Sequence, residues 1–348
     1  MTPSPRQRWA RRLKGSLARP VITRYVFSPL RAIGARLPQH LLRRLPVVGV
    51  FTVPVPGASA GIRLYSDGED AISNLIFWMG VDGWEPETVK ALALIAPRCS
   101  TFLDVGANIG YHALVVARVS SHTTVHAFEP VPSVFGRLTR NVDLNALDNI
   151  VLHERGLSDV HGRVTIHIPR QTSVLPLQAS LLPYPGYEGI EEQDVDVTTV
   201  DSFVEERRIP RVDLMKIDVE RAEHLVIAGA ESTLRRDRPL IVCEVLPDQP
   251  SVAQVDETLR RHGYDFFSLT TSRLEQMSAL HAHPDGKVVN YLCAHPDRLK
   301  ELFPQAENMV SAPRIDGAGS RSRRRRIDGA ASSTLTSRRD PSGGTPSP

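Results

Sequence analysis

The chain has 348 residues, 41% of them hydrophobic and 23% charged, with a mean hydropathy of −0.18, a composition suited to one large globular domain or two modest ones. Three scattered cysteines (Cys99, Cys243, Cys293) exclude a disulfide framework or a paired CxxC zinc site, and no apolar run nears the roughly 18 residues of a spanning helix. The formal charge of +3 conceals an asymmetry: residues 1–66 carry 12 Lys/Arg and no acid, residues 311–348 carry eight Arg and three Asp, and the acidic body between them argues against general nucleic-acid binding.

Residues 1–45 read as a basic helical extension. Trp9, Leu13 and Leu17 recur at i, i+4, i+8 among Arg8, Arg11, Arg12 and Lys14. That pattern suits an amphipathic helix, either docked on the domain or in weak contact with an anionic membrane surface. Pro20 and Arg24 interrupt every candidate signal-peptide core, so the expected location is cytoplasmic, with peripheral membrane contact as the variant. The Arg- and Ala-rich composition points to a bacterial source.

Residues 46–100 are expected to pack strands and a helix on the core: β-rich stretches at Val47–Val55 and Ala60–Tyr65, then Ala71–Met79 and a helical Glu85–Ile95. Beyond them strands and helices alternate. Strands are predicted at Thr101–Val105, Thr124–Phe128, Ile150–His153, Val212–Ile217, Leu240–Val245, Asp265–Leu269 and Val288–Ala294, with helices at Val131–Asn145, Ala222–Arg236 and Val252–His262. The fold class that follows is α/β, a doubly wound, seven-stranded, mostly parallel sheet covered on both faces. The tail from Ser311 is rich in Ser, Gly and Arg and has almost no large apolar residues; it is expected to be disordered.

Chemistry concentrates at the carboxyl ends of the strands. In TFLDVGANIGYHALVVA (Thr101–Ala117) an apolar strand ends in Asp104, followed by Gly106, Asn108 and Gly110 and then a helix. Glycines permit close approach of a ligand, and helix N-terminal amides point at it. The spacing is not the dinucleotide GxGxxG. A carboxylate there would repel a phosphate but suits a cationic amino-acid group, so the implied ligand is an adenosine linked to an amino acid; the alternative is a plain turn. The next strand ends in Glu129, 25 residues after Asp104, where doubly wound sheets bind ribose hydroxyls.

LMKIDVERAEHL (Leu214–Leu225) places Lys216 and Asp218 at i, i+2 on one side of an apolar strand, a costly arrangement that favours function over a structural ion pair. Glu244 ends the next strand. Asp218 and Glu244 could share one pocket as base, substrate ligand or metal ligand; with no further ligand evident, no metal site is assigned. The stretch Pro169–Asp194, with Tyr184 and Tyr187, reads as an acceptor lid or a surface hairpin.

DVGANIGYH (Asp104–His112), FEPVPSVFGRLTRNVDLN (Phe128–Asn145), the GLSD turn (Gly156–Asp159), TTVDSF (Thr198–Phe203), KIDVERAEHLVIAGA (Lys216–Ala230) and CEV (Cys243–Val245) together resemble the FkbM-type S-adenosylmethionine-dependent methyltransferases. The resemblance covers roughly residues 75–295. It implies a class I Rossmann-like methyltransferase domain over 101–300, with S-adenosyl-L-methionine as cofactor. It further implies Asp104, Gly106, Asn108, Gly110, Glu129 and Ser158 in cofactor binding and Asp218, Lys216 and Glu244 in catalysis. The implied reaction is O-methylation of a hydroxyl on a sugar, glycolipid or polyketide-type metabolite, so the partner is a small-molecule or glycan acceptor and not a nucleic acid. One position departs: Arg221 stands where the family usually has Gly after KIDVE, which would narrow the acceptor pocket or give it a cationic contact. A non-catalytic cofactor-binding module and a nicotinamide-dependent oxidoreductase are the alternative readings.

Overall fold

The computed structural model describes residues 19–32, 38–68, 70–169, 179–182, 189–245, 251–269, 274–280 and 289–304. The expected helix around Trp9, Leu13 and Leu17, the tail from Ser311, and Tyr184 and Tyr187 lie outside these residues. Among the described residues no helix is long and apolar enough to cross a membrane. A helical stretch through Pro20–Ile22, Thr23–Phe27 and Ser28–Ala32 buries Phe27 against Trp78, whereas Val21, Tyr25, Val26 and Leu30 are exposed.

The strands β1 (Val48–Val53) and β2 (Ile62–Asp67) form an antiparallel hairpin, followed by α1 (Ala71–Met79) and α2 (Pro86–Ile95). The alternating part then runs β3 (Thr101–Val105), α3 (Tyr111–Val119), β4 (Thr124–Phe128), α4 (Pro132–Asp143) and β5 (Ile150–His153). Further on come β9 (Leu214–Ile217), β10 (Leu240–Val245), β11 (Asp265–Leu269), β12 (Leu274–Met277) and β13 (Val289–Ala294). These strands form one eight-stranded sheet in the order β12-β11-β13-β10-β9-β3-β4-β5.

The pairs β10–β9, β9–β3, β3–β4 and β4–β5 are parallel; β13 opposes both β10 and β11. The seven predicted strands are all in this sheet. The eighth, β12, adds a short edge hairpin to β11; its sequence LEQM is exposed and lacks apolar alternation, so no pattern marks it. Strand order reverses between β3 and β9, the place where open α/β sheets bind ligands beyond the carboxyl ends.

Side-chain alternation sorts the central strands into two faces. Phe102, Leu214, Leu240 and Val242 join the core that also holds Leu75, Leu92 and Leu114 of α1, α2 and α3. Leu103, Val105, Met215, Ile217, Ile241 and Cys243 join the opposite core, with Val226, Leu234 and Leu259. Asp104, Lys216 and Glu244 fall on the first face by the period of two. Residues 46–100 therefore cover the face that carries the charged strand ends. Asn141 of α4 and Asn145 just after it accept hydrogen bonds from the Tyr65 and Arg63 amides (2.8 and 2.7 Å), which satisfies the free edge of β2 and ties it to the domain.

The strands that flank the Pro169–Asp194 stretch, β7 (Gly162–Pro169) and β8 (Ile190–Thr198), pair antiparallel, and β6 (Gly156–Leu157) adds to β8 in a separate three-stranded sheet; residues 170–178 and 183–188 lie outside the described residues. The single helix predicted over Ala222–Arg236 is two, α6 (Glu223–Ala228) and α7 (Glu231–Asp237). A Cβ on Gly229 would stand 2.0 Å from the Ser158 carbonyl oxygen, so the chain can break there only with glycine. The new N-terminus is capped by Asp201 of α5 (Val200–Glu206), whose carboxylate accepts from the Ser232 and Thr233 amides at 2.8 Å each.

Candidate active site

A cavity of about 320 Å³ opens at the carboxyl ends of β3, β4, β9 and β10. Gly106, Asn108, Glu129, Lys216, Asp218 and Glu244 line it, and the expected Asp104 and Gly110 do not. Its opposite wall is apolar, where Val134 meets Ile166, Val195 and Val197 of the β7–β8 hairpin.

The turn after β3 is built by backbone requirement. Gly106 has φ +80°, and a Cβ there would stand 1.9 Å from the Asp218 carbonyl oxygen, so the loop can lie against the end of β9 only with glycine. Asn108 (φ +52°) and Gly110 (φ +85°) complete the turn into α3, with Gly110 as its N-cap. The amides of Gly106 and Ala107 donate to the Phe128 carbonyl (3.1 and 2.8 Å), locking the loop to the end of β4.

Glu129 is buried, and its two carboxylate oxygens accept from the Asn108 amide (3.1 Å) and the Val131 amide (2.9 Å). Burial pushes its carboxyl up to about 7 against the pull of these two donors. Asp104 is fully buried, and neither carboxylate oxygen meets a donor in good geometry. Burial pushes it up to about 6, with Lys216 opposing.

Lys216 lies beside Asp104 in strand register, and its Nζ donates to Asp218 at 2.7 Å. Burial alone would push the ammonium down, yet Asp218, Glu85 and Asp104 together hold it above the ordinary lysine range. Within the pair, Lys216 has 3% of its side chain exposed and Asp218 22%, so the carboxylate is the member that meets the cavity. Glu244 is held well above the usual carboxylate range by burial and by Asp218.

Two expected contacts are placed elsewhere. Ser158 is absent from the cavity wall; its hydroxyl donates to Asp159 (3.1 Å) and its carbonyl abuts Gly229. Arg221 is likewise absent from the wall, so it neither narrows the cavity nor lends it a cation. Its backbone explains the usual glycine. Arg221 has φ +84° directly after Glu220 at φ +50°, and the buried Glu223 carboxylate holds this turn by accepting from the Val219 and Arg221 amides (3.3 and 3.1 Å). A side chain in that region costs about 1–2 kcal/mol, offset in part by the extra unfolded-state entropy of glycine. Arg221→Gly is therefore expected to stabilise the protein by roughly 0.5–1 kcal/mol and raise the thermal midpoint by about 1–3 °C. A lowered midpoint in a thermal melt would contradict this account of the turn.

His112, which the sequence offers with His224 as an alternative base, lines the cavity, and Glu85 enters it without having been singled out. Glu85 comes from the end of the Trp84–Glu85–Pro86 turn, and no chemical motif surrounds it; only the packing of α2 on the charged face brings it in. Its Oε2 lies 3.6 Å from His112 Nε2 and 3.5 Å from Asn290 Nδ2. Among the described residues no group of three or more His, Cys, Asp or Glu side chains is arranged to hold a metal ion.

A model described as the methyltransferase FkbM domain matches residues 104–266. Methyltransferase 1 of Beauveria bassiana is 29% identical over 149 residues, covering 39% of this chain and 60% of that protein. The hexuronic acid methyltransferase AglP of Haloferax volcanii is 30% identical over 158 residues, 45% of this chain and 61% of that protein. The 31-O-demethyl-FK506 methyltransferase FkbM of Streptomyces tacrolimicus is 29% identical over 190 residues, 46% and 71% of the two chains. The chain thus spans about three fifths of the length of the first two relatives. The doubly wound sheet and the strand-end site lie on the same residues, 104–266, that match the methyltransferase FkbM domain, and the cofactor this match indicates is S-adenosylmethionine.

Proposed function

We propose that this protein methylates a hydroxyl oxygen of a sugar-bearing or polyketide-type small molecule. The observation that carries the proposal is the Lys216–Asp218 pair: a buried ammonium 2.7 Å from a carboxylate that faces the cavity, at the carboxyl end of β9. Relatives named as a hexuronic acid methyltransferase, a 31-O-demethyl-FK506 methyltransferase and a 2-O-methyltransferase support the acceptor class.

The residues fit the cofactor. Glu129 keeps lone pairs for ribose hydroxyls beyond the two amides that it already accepts. Asp104, fully buried at the end of β3, adds negative charge that suits a cationic amino-acid group. The apolar wall of Val134, Ile166, Val195 and Val197 suits a purine face, and Gly106 leaves the room that a Cβ would fill. When bound, S-adenosylmethionine supplies an electrophilic methyl group on a sulfonium.

The chain's own residues then position the acceptor and handle its proton. Asp218 accepts the hydroxyl proton or fixes the hydroxyl in line, and Lys216 anchors the carboxylate's rotamer through its hydrogen bond. Glu244, kept protonated by burial and by Asp218, stands beside it as a donor.

The test is calorimetric titration with S-adenosylhomocysteine, with NAD as the parallel ligand and pH varied. Affinity for S-adenosylhomocysteine alone is expected, in the micromolar range. The ligand's ammonium and ribose hydroxyls favour ionised carboxylates. Asp104 at about 6 and Glu129 and Glu85 at about 7 become protonated as pH falls. Affinity is therefore expected to fall at least about tenfold from pH 8 to pH 5.5, since each linked proton contributes up to a factor of ten per pH unit. Binding of NAD alone would overturn the reading; a flat pH profile would remove the carboxylates from the contact.

A further inference from the structure

We infer that Glu85, which precedes the segment matched to the FkbM domain, is a cofactor-binding residue that takes the ammonium of the cofactor's amino-acid end. The inference rests on the cofactor assignment and adds a contact from outside the matched segment 104–266.

Charge arithmetic around Lys216 is the starting point. Three carboxyls act on its ammonium, from Asp218, Glu85 and Asp104. Asp218 takes the hydrogen bond from Nζ. Asp104 and Glu85 are left on the buried side of the cavity, with only 0% and 13% exposure, and they need a further cation.

Among the described residues no bonded side chain supplies one: Arg43 lines the cavity but is not among the groups that act on Glu85. His112 is the nearest candidate, at 3.6 Å from Glu85, but burial and the Lys216 charge hold its imidazole far below the usual histidine range, and it stays neutral. Its Nε2 is buried without a hydrogen-bond partner. Asn290 Nδ2 at 3.5 Å and the Thr88 hydroxyl are neutral donors. The remaining charged groups acting on Glu85, Asp218 and Asp104, are acids. The ligand that completes this corner is a cation that reaches Glu85 from the cavity.

Two independent observations point to a ligand at this corner. His112 lines the cavity beside Glu85, and its Nε2 is a buried orphan. Glu85 also holds a left-handed backbone, φ +42°, directly before Pro86, a conformation unfavourable for a non-glycine residue and disfavoured again ahead of proline. The turn fixes the carboxylate at the cavity while Pro86 starts α2.

The test compares S-adenosylhomocysteine with 5′-methylthioadenosine, which keeps the adenosine and the thioether and lacks the amino acid. In Glu85→Gln, affinity for S-adenosylhomocysteine is expected to fall about tenfold while affinity for methylthioadenosine stays within twofold; the latter also reports an intact site. Unchanged affinity for both ligands, or an equal loss of both, would overturn the role of Glu85. In the unmodified protein, the ratio of the two affinities is expected to narrow at least threefold from pH 8 to pH 5.5, and a constant ratio would overturn it as well. Failure of the unmodified protein to bind either ligand would instead sink the cofactor assignment on which the inference stands.

Discussion

Glu129→Ala is expected to lower affinity for S-adenosylhomocysteine by at least tenfold. The carboxylate has two duties. It would take the ribose hydroxyls, and it already accepts from the Asn108 and Val131 amides, which fix the loop after β3 and the entry to α4. Hydrogen bonds to a charged acceptor are worth about 1.5–3 kcal/mol each, so losing those to the ligand alone accounts for ten- to a hundredfold. Glu129→Gln separates the duties. The amide keeps the volume and can accept from one backbone N–H, but its nitrogen opposes a second donor, so binding should fall without collapse of the fold. Calorimetry with a thermal melt on the same sample measures both. Unchanged affinity in the alanine variant would remove Glu129 from the cofactor site.

Asp218→Ala is expected to reduce methyl transfer by roughly 10²–10⁴-fold, the usual range for loss of a positioned general base, with S-adenosylhomocysteine still bound. The separation follows from exposure. Asp218 is the cavity-facing member of the ion pair, whereas Lys216 is buried and stays neutralised by Asp104 and Glu85 when Asp218 is removed. Asp218→Asn retains shape and the hydrogen bond from Lys216 but not proton acceptance. Orientation and base roles therefore part company: an orienting role tolerates Asn, a base role does not. The assay is transfer of labelled methyl to the hydroxylated acceptor that gives turnover with the unmodified protein. Near-normal turnover in the alanine variant would exclude Asp218 from the reaction.

Legibility in the sequence followed burial. Parallel strands covered on both faces are short apolar runs, so Thr101–Val105, Thr124–Phe128, Ile150–His153 and Leu240–Val245 match their predicted bounds. Charged residues stood out at the ends of such runs because burying charge is costly, which is how Asp104, Lys216, Asp218, Glu129 and Glu244 were singled out together. The exposed strand β12 carried no such signal. The predicted helix over Ala222–Arg236 kept its apolar stripe through Ala222, Val226 and Gly229, but periodicity could not register a carbonyl arriving from Ser158 or a cap arriving from Asp201.

Arg221 and Glu85 show the same limit from opposite directions. Arg221 looked like a pocket residue because it departs from a pattern at the mouth of a motif, yet its departure concerns φ +84° and not the cavity wall. Glu85 looked like an ordinary helix start, since nothing within a few residues of it signals chemistry. What the sequence by itself determined is the order of buried strands, the face on which Asp104, Lys216 and Glu244 project, and the chemistry of the β3 turn. Those features follow from local periodicity and from the cost of burying charge. Only the tertiary structure decided that residues 46–100 cover the charged face and deliver Glu85 to the cavity wall, and that Asp104, Ser158 and Arg221 stay off that wall. Those outcomes depend on contacts between segments far apart in the chain, which no local pattern of side chains encodes.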